Sequence, residues 1–63
     1  LEFGLRRAGA VRLAIVDVQG RLVRTLVDGE RPAGHHTVNW DGVDDSGRGV
    51  AAGVYLARRR WSR

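Results

Sequence analysis

Residues 10–18, AVRLAIVDV, set Val11, Leu13 and Ile15 on one side of the chain and Arg12, Ala14 and Val16 on the other. That two-residue period belongs to a half-buried β-strand. A strand leaves its backbone donors and acceptors open, so the rest of the chain has to supply hydrogen-bonded neighbours. The run closes on Asp17-Val18-Gln19-Gly20, where Asp17 can accept backbone hydrogen bonds and Gly20 can take a positive φ without steric cost. The chain is therefore expected to reverse there and return through RLVRTLV, residues 21–27, as the second strand of a hairpin.

That second run alternates poorly, because Leu22, Val23, Leu26 and Val27 also fit helical spacing. Its length decides against a helix, since fewer than two turns are unstable alone while strands commonly have this length. The broken alternation then predicts a bulge. DGERPAG, residues 28–34, reads as a loop, with Pro32 lacking an amide hydrogen and Gly29 and Gly34 permitting tight bends. HHTVNW then places His36, Val38 and Trp40 on one face, and VAAGVYLARR forms a final strand with Gly53 as a bulge or close-approach point. With Leu1 to Leu5 added, the reading is about five short strands, all-β, in a small antiparallel sandwich or open barrel.

At 63 residues the chain is a single domain, and one of this size buries only about 60% of the surface its unfolded chain exposes. No cysteine is present to staple it, so neither disulfides nor cysteine metal sites are available. No apolar run reaches membrane-spanning length. Leu1 to Leu5 carries Glu2 and leads into Arg6 and Arg7, which does not read as a signal peptide. All eleven basic residues are arginine and the net charge is +4. Arginine without lysine, beside abundant alanine, valine and glycine, is what a GC-rich genome encodes, and only Arg58, Arg59, Arg60 and Arg63 cluster, around Trp61. A nucleic-acid site there is the weaker reading, against a solvated strand end.

The stretch WDGVDDSGRGVAAGVY, residues 40–55, concentrates the residues that could carry chemistry. An EF-hand loop needs oxygen ligands at positions 1, 3, 5 and 12 and glycine at 6; starting from Asp41 puts Ser46 at position 6, and starting from Asp44 puts Tyr55 at position 12. Neither register works, which leaves only a looser calcium site on Asp41, Asp44 and Asp45 as a weak metal candidate. Gly47, Gly49 and Gly53 lack the following helix that a phosphate-binding glycine loop requires. His35 and His36 are adjacent and point to opposite faces of a strand, so they cannot grip one metal. No nucleophile, base and orienting acid stand at useful spacing, so no catalytic site and no cofactor are expected. The structural reading has Trp40 filling the core, Asp41 tying off a strand end and Asp45-Ser46-Gly47 forming a tight turn. Asp17 and Arg21 form a surface pair across the first turn.

In order and spacing, the D-x-x-G-R of Asp17, Gly20 and Arg21, the W-D-G of Trp40, Asp41 and Gly42, and the G-V-Y of Gly53 to Tyr55 resemble the FlgD-type immunoglobulin-like domain. This β-sandwich occurs in the flagellar hook-capping protein and at the C-terminal end of large exported bacterial proteins; sorting domains of type IX secretion substrates look similar. The resemblance runs from about Phe3 to Arg59. Two departures stand out: Arg6 occupies a position where the family commonly has proline, and the family usually continues into one more strand after G-V-Y. The resemblance therefore implies an immunoglobulin-like sandwich lacking its last strand, a C-terminal fragment of a longer protein. An unpaired edge would lie beside residues 53–60, with Trp61 as an alternative cap for the open core.

By the same resemblance the expected role is that of a noncatalytic accessory module of an exported protein, extracellular or at the cell surface. It would act in secretion, anchoring or assembly through contacts with other domains of its parent chain or with secretion and surface machinery. The alternatives are a flagellar hook-cap assembly domain and, behind it, a carbohydrate- or nucleic-acid-binding module using Trp61 and the arginines.

Overall fold

The computed structural model describes residues 1–62. Five strands follow in order: β1 (Glu2–Leu5), β2 (Gly9–Asp17), β3 (Leu22–Arg31), β4 (Gly34–Thr37) and β5 (Tyr55–Ser62). β1 and β4 form one antiparallel sheet, and β3-β2-β5 form a second in which β2 is central. No helix occurs among the described residues. The all-β, two-sheet, immunoglobulin-like expectation therefore holds.

The alternation in β2 does what its period implies. Val11 and Leu13 turn toward the first sheet and meet Phe3, Leu5 and Val27 in the core, with Leu26 and Val38 packed at its margin. Val11 is only 1% exposed. Phe3 also stacks on its cross-strand partner His36, centroids 5.1 Å apart, while His36 Nε2 lies 2.8 Å from the Pro32 carbonyl oxygen. The amine of Leu1 donates to Val38 O and the Val38 amide donates back to Leu1 O at 2.7 Å, extending the small sheet by one pair.

The expected bulge is present, and it is doubled. Leu13 pairs with Val27 but Ala14 with Thr25, and Ile15 pairs with Arg24 but Val16 with Leu22. Leu26 and Val23 are thus each an extra residue on β3, which explains why its sequence alternates so poorly.

Several boundaries differ from the sequence reading. β3 runs through Arg31, because Gly9 to Arg12 offer ladder partners to Asp28 through Arg31; the loop shrinks to Pro32 and Ala33. β4 ends at Thr37, so Asn39 and Trp40 leave the strand. β5 begins at Tyr55, because the Val50 amide is taken by Gly42 O in a miniature hairpin that holds residues 42–50 out of the sheet. Gly53 consequently lies in the bend before β5, not at a bulge within it, and a Cβ there would make only ordinary contact, 3.9 Å from Tyr55. Trp40 is half-buried and stands outside the core cluster.

The close approach falls instead at Gly9, where a Cβ would lie 2.5 Å from Ser62 O and 2.6 Å from Trp61 Nε1. Trp61 pairs with Val11 across the ladder and lies over this glycine, 41% exposed, at the end of the sandwich. Arg59 Nη1 reaches Gly4 O at 3.3 Å and ties the two sheets together there.

Gly9→Ala is expected to push Trp61 off its seat and cost about 1–3 kcal/mol, as overpacking does, read as a lower melting temperature with altered tryptophan emission. Leu13→Ala should cost about 2–5 kcal/mol. Trp40→Phe, which keeps a ring but loses one hydrogen bond, should cost about 1 kcal/mol; a loss from Trp40→Phe equal to that from Leu13→Ala would return Trp40 to the core.

Candidate functional site

The β2–β3 turn is organised by one carboxylate. Asp17 Oδ1 accepts the amides of Gln19 and Arg21, both at 2.9 Å, while Oδ2 accepts Arg21 Nε at 2.9 Å. The Gly20 amide donates to Asp17 O and the Asp17 amide to Arg21 O, each at 3.0 Å. Gly20 has φ 82°, a left-handed conformation that other residues adopt only with strain.

The same construction recurs at residues 44–48, where the sequence reads D-x-x-G-R a second time. Asp44 Oδ1 accepts the amides of Ser46 at 2.9 Å and Arg48 at 3.0 Å, together with the Ser46 hydroxyl at 2.6 Å. Gly47, with φ 88°, donates its amide to Asp44 O at 3.0 Å, and the Asp44 amide donates to Arg48 O at 2.8 Å. The turn therefore belongs to Asp44, one residue earlier than the sequence reading placed it. The repeated motif was the available signal.

Asp45 has a different task. Its Oδ1 accepts the Thr25 amide at 2.9 Å and its own amide donates to Val23 O at 3.0 Å, while Arg24 Nη1 donates to Asp44 O at 3.0 Å. The hairpin thereby covers the outer edge of β3, where unpaired backbone would otherwise face solvent. Trp40 Nε1 donates to Val43 O at 2.8 Å, and its ring meets Tyr55 edge-on with centroids 5.2 Å apart. The Tyr55 hydroxyl donates to Ala51 O, so this pair draws together the two ends of the 40–55 segment. Gly42 accepts the Val50 amide inside the segment. Asp41, expected to tie off a strand end, is exposed, and no hydrogen bond to its side chain occurs among the described residues; Asp44 and Asp45 do that work.

These commitments bear on metal binding. Asp44 and Asp45 spend carboxylate oxygens on backbone amides, and no group of three or more potential ligands comes together among the described residues. The His35 ring lies 3.3 Å from Glu2 and the His36 ring over Phe3, so strand alternation separates the two histidines as expected. Alternation also divides the arginine cluster. Arg59 and Trp61 pair with the inward residues Leu13 and Val11, whereas Arg58 and Arg60 pair with Ala14 and Arg12 on the opposite face. Arg63 lies outside the described residues.

Both turn carboxyls titrate below the ordinary aspartate range. For Asp17 the main cause is the Arg21 amide, then the Arg21 side chain and the Gln19 amide, with desolvation opposing. For Asp44 it is the Ser46 hydroxyl, then the Arg48 amide, again against desolvation. A depressed folded-state value stabilises the fold above the unfolded value of about 4, and this is lost as pH falls toward the folded value. Melting temperature should therefore decline below about pH 4. Asp44→Asn keeps an acceptor oxygen without a titrating group and should flatten that decline; an unchanged acid slope would remove Asp44 as a contributor.

Residues 3–58 match the FlgD Ig-like domain family. Among curated proteins, the chain is similar to the basal-body rod modification protein FlgD of Salmonella typhimurium (strain LT2) and to that of Salmonella typhi, each 48% identical over 48 residues. The aligned part is 76% of this chain and 21% of either relative, so the chain spans about a fifth of the length of the curated relatives it matches. With the family match covering both sheets, the paired turns and the Trp40–Tyr55 segment, the chain belongs to the FlgD Ig-like domain family.

Proposed function

We propose that this chain is the immunoglobulin-like assembly domain of a flagellar rod- or hook-building protein, exported and working outside the cell through protein contacts. The observation that carries the reading is the 48% identity to proteins named for basal-body rod modification, within a family match that spans nearly the whole chain. It favours the flagellar role over the more general one of an accessory module in an exported protein.

The chemistry supports a noncatalytic part. Asp17, Asp44 and Asp45 each spend carboxylate oxygen on backbone amides, a use that shapes turns and covers a strand edge. What the fold offers a partner is sheet surface and arginine. No helix among the described residues is long and apolar enough to cross a membrane.

The test is a domain exchange. Replacing the matching segment of Salmonella typhimurium FlgD with this chain should restore hook assembly and swimming to a strain lacking FlgD, whereas deletion of the segment should not. A stable, exported chimera that builds no hooks would overturn the proposal.

A further inference from the structure

The face of the β3-β2-β5 sheet that points away from the core is chemically divided along its length. At one end Val16 lies between its cross-strand partners Leu22 and Leu56, which are 50% and 53% exposed. At the other, Arg60 stands directly opposite Arg12, and Arg58 follows two residues earlier beside Ala14. Val16 and Ala14 form the floor of a depression of about 150 Å³ bordered by Leu22 and by Arg12, Arg58 and Arg60.

The arginines on this face are not closed into ion pairs, although Asp28 and Glu30 stand on the same face of β3 opposite Arg12 and Ala10. Among the described residues, none of these arginines forms an ion pair; the pairs present are Arg21 with Asp17 and His35 with Glu2. Asp28 is the cross-strand partner of Arg12 on β3, yet no salt bridge closes between them. Like charges placed directly opposite on a sheet destabilise it, so Arg60 against Arg12 works against the favourable Asp28–Arg12 placement and leaves Arg58 and Arg60 with no acidic cross-strand partner. Adjacent strands lie about 5 Å apart and alternate residues about 7 Å apart, which places three guanidinium groups within reach of a single partner surface.

We propose that this outer face is a docking surface for an acidic protein partner, one that presents carboxylates to Arg12, Arg58 and Arg60 and aliphatic side chains to Leu22, Val16 and Leu56. This deepens the assembly reading above by naming the surface through which contact is made. Charge complementarity selects the occupant. A second copy would bring the same arginines and another net charge of +4. Nucleic acid would satisfy the guanidiniums but leave the aliphatic end without an apolar partner, and the tryptophan that could stack on a base, Trp61, pairs with Val11 on the opposite face.

The experiment uses the chain itself and a capped peptide, Glu-Val-Glu-Val-Glu, followed by NMR shift mapping and by anisotropy at rising salt. Expected are shifts confined to Arg12, Ala14, Val16, Leu22, Leu56, Arg58 and Arg60, and roughly tenfold weaker binding for Arg58→Gln with Arg60→Gln, the scale of losing charge-assisted hydrogen bonds. Leu22→Ser should weaken binding about threefold, as should serine in place of the peptide valines. Arg60→Gln should melt no lower than the parent chain, since it relieves a like-charge pair. Shifts on the core-side residues alone, no shifts at about 1 mM peptide, or tighter binding of duplex DNA that ignores Leu22→Ser would each overturn the proposal, as would dimerisation through this face. None of these results depends on whether the chimera builds hooks, so either proposal can fail alone.

Discussion

The structure depends on the burial of β2 between two partners. Among the described residues it is the strand paired with another strand along both edges, β3 and β5, and it carries Val11 and Leu13 into the core. With no cysteine to form a disulfide, this ladder and the small apolar cluster above it must offset the ordering entropy of the chain. The first sheet, two four-residue strands, is held against it by Phe3 and Leu5 and by the Arg59 bond to Gly4.

The two aspartate turns close on an accounting of backbone hydrogen bonds. An aspartate one residue beyond a strand ladder can take several amides at once, and the chain uses this solution twice, at Asp17 and Asp44. The second turn then holds Asp45 where its carboxylate and amide can serve the edge of β3. A segment rich in acidic residues and glycine thus acts as cover for a sheet edge.

Legibility followed the range of the forces involved. The period of AVRLAIVDV and the chemistry of D-V-Q-G-R are local, and strand β2 and its turn appear where the sequence put them. The broken pattern of RLVRTLV signalled irregularity, though the position and number of bulges depend on β2 and could not be read from β3 alone. Trp40 was misplaced because its size and apolarity suggest a core residue, whereas the hairpin of residues 42–50 holds it against Tyr55 and Val43. Gly9 gave no local sign of its role, since the contact that requires glycine comes from Trp61, far along the chain. The uneven outer face was likewise hidden, because Arg12 and Arg60 meet only through strand pairing.

The paired irregularities in β3 carry a consequence for how this strand can change over time. One extra residue turns every following side chain to the opposite face; two, at Leu26 and Val23, restore the original parity, so that only Arg24 and Thr25 are inverted and Leu22 again faces outward beside Val16. Deletion of Leu26 or of Val23 alone would remove a bulge and leave each remaining residue opposite its present β2 partner, so Leu22 would keep its outward face, and Thr25 and Arg24 their places beside residues 44–45. Loss of both would leave the faces in order. Length variation at these two positions is therefore expected to be absorbed one residue at a time, with neither face of the strand exchanged.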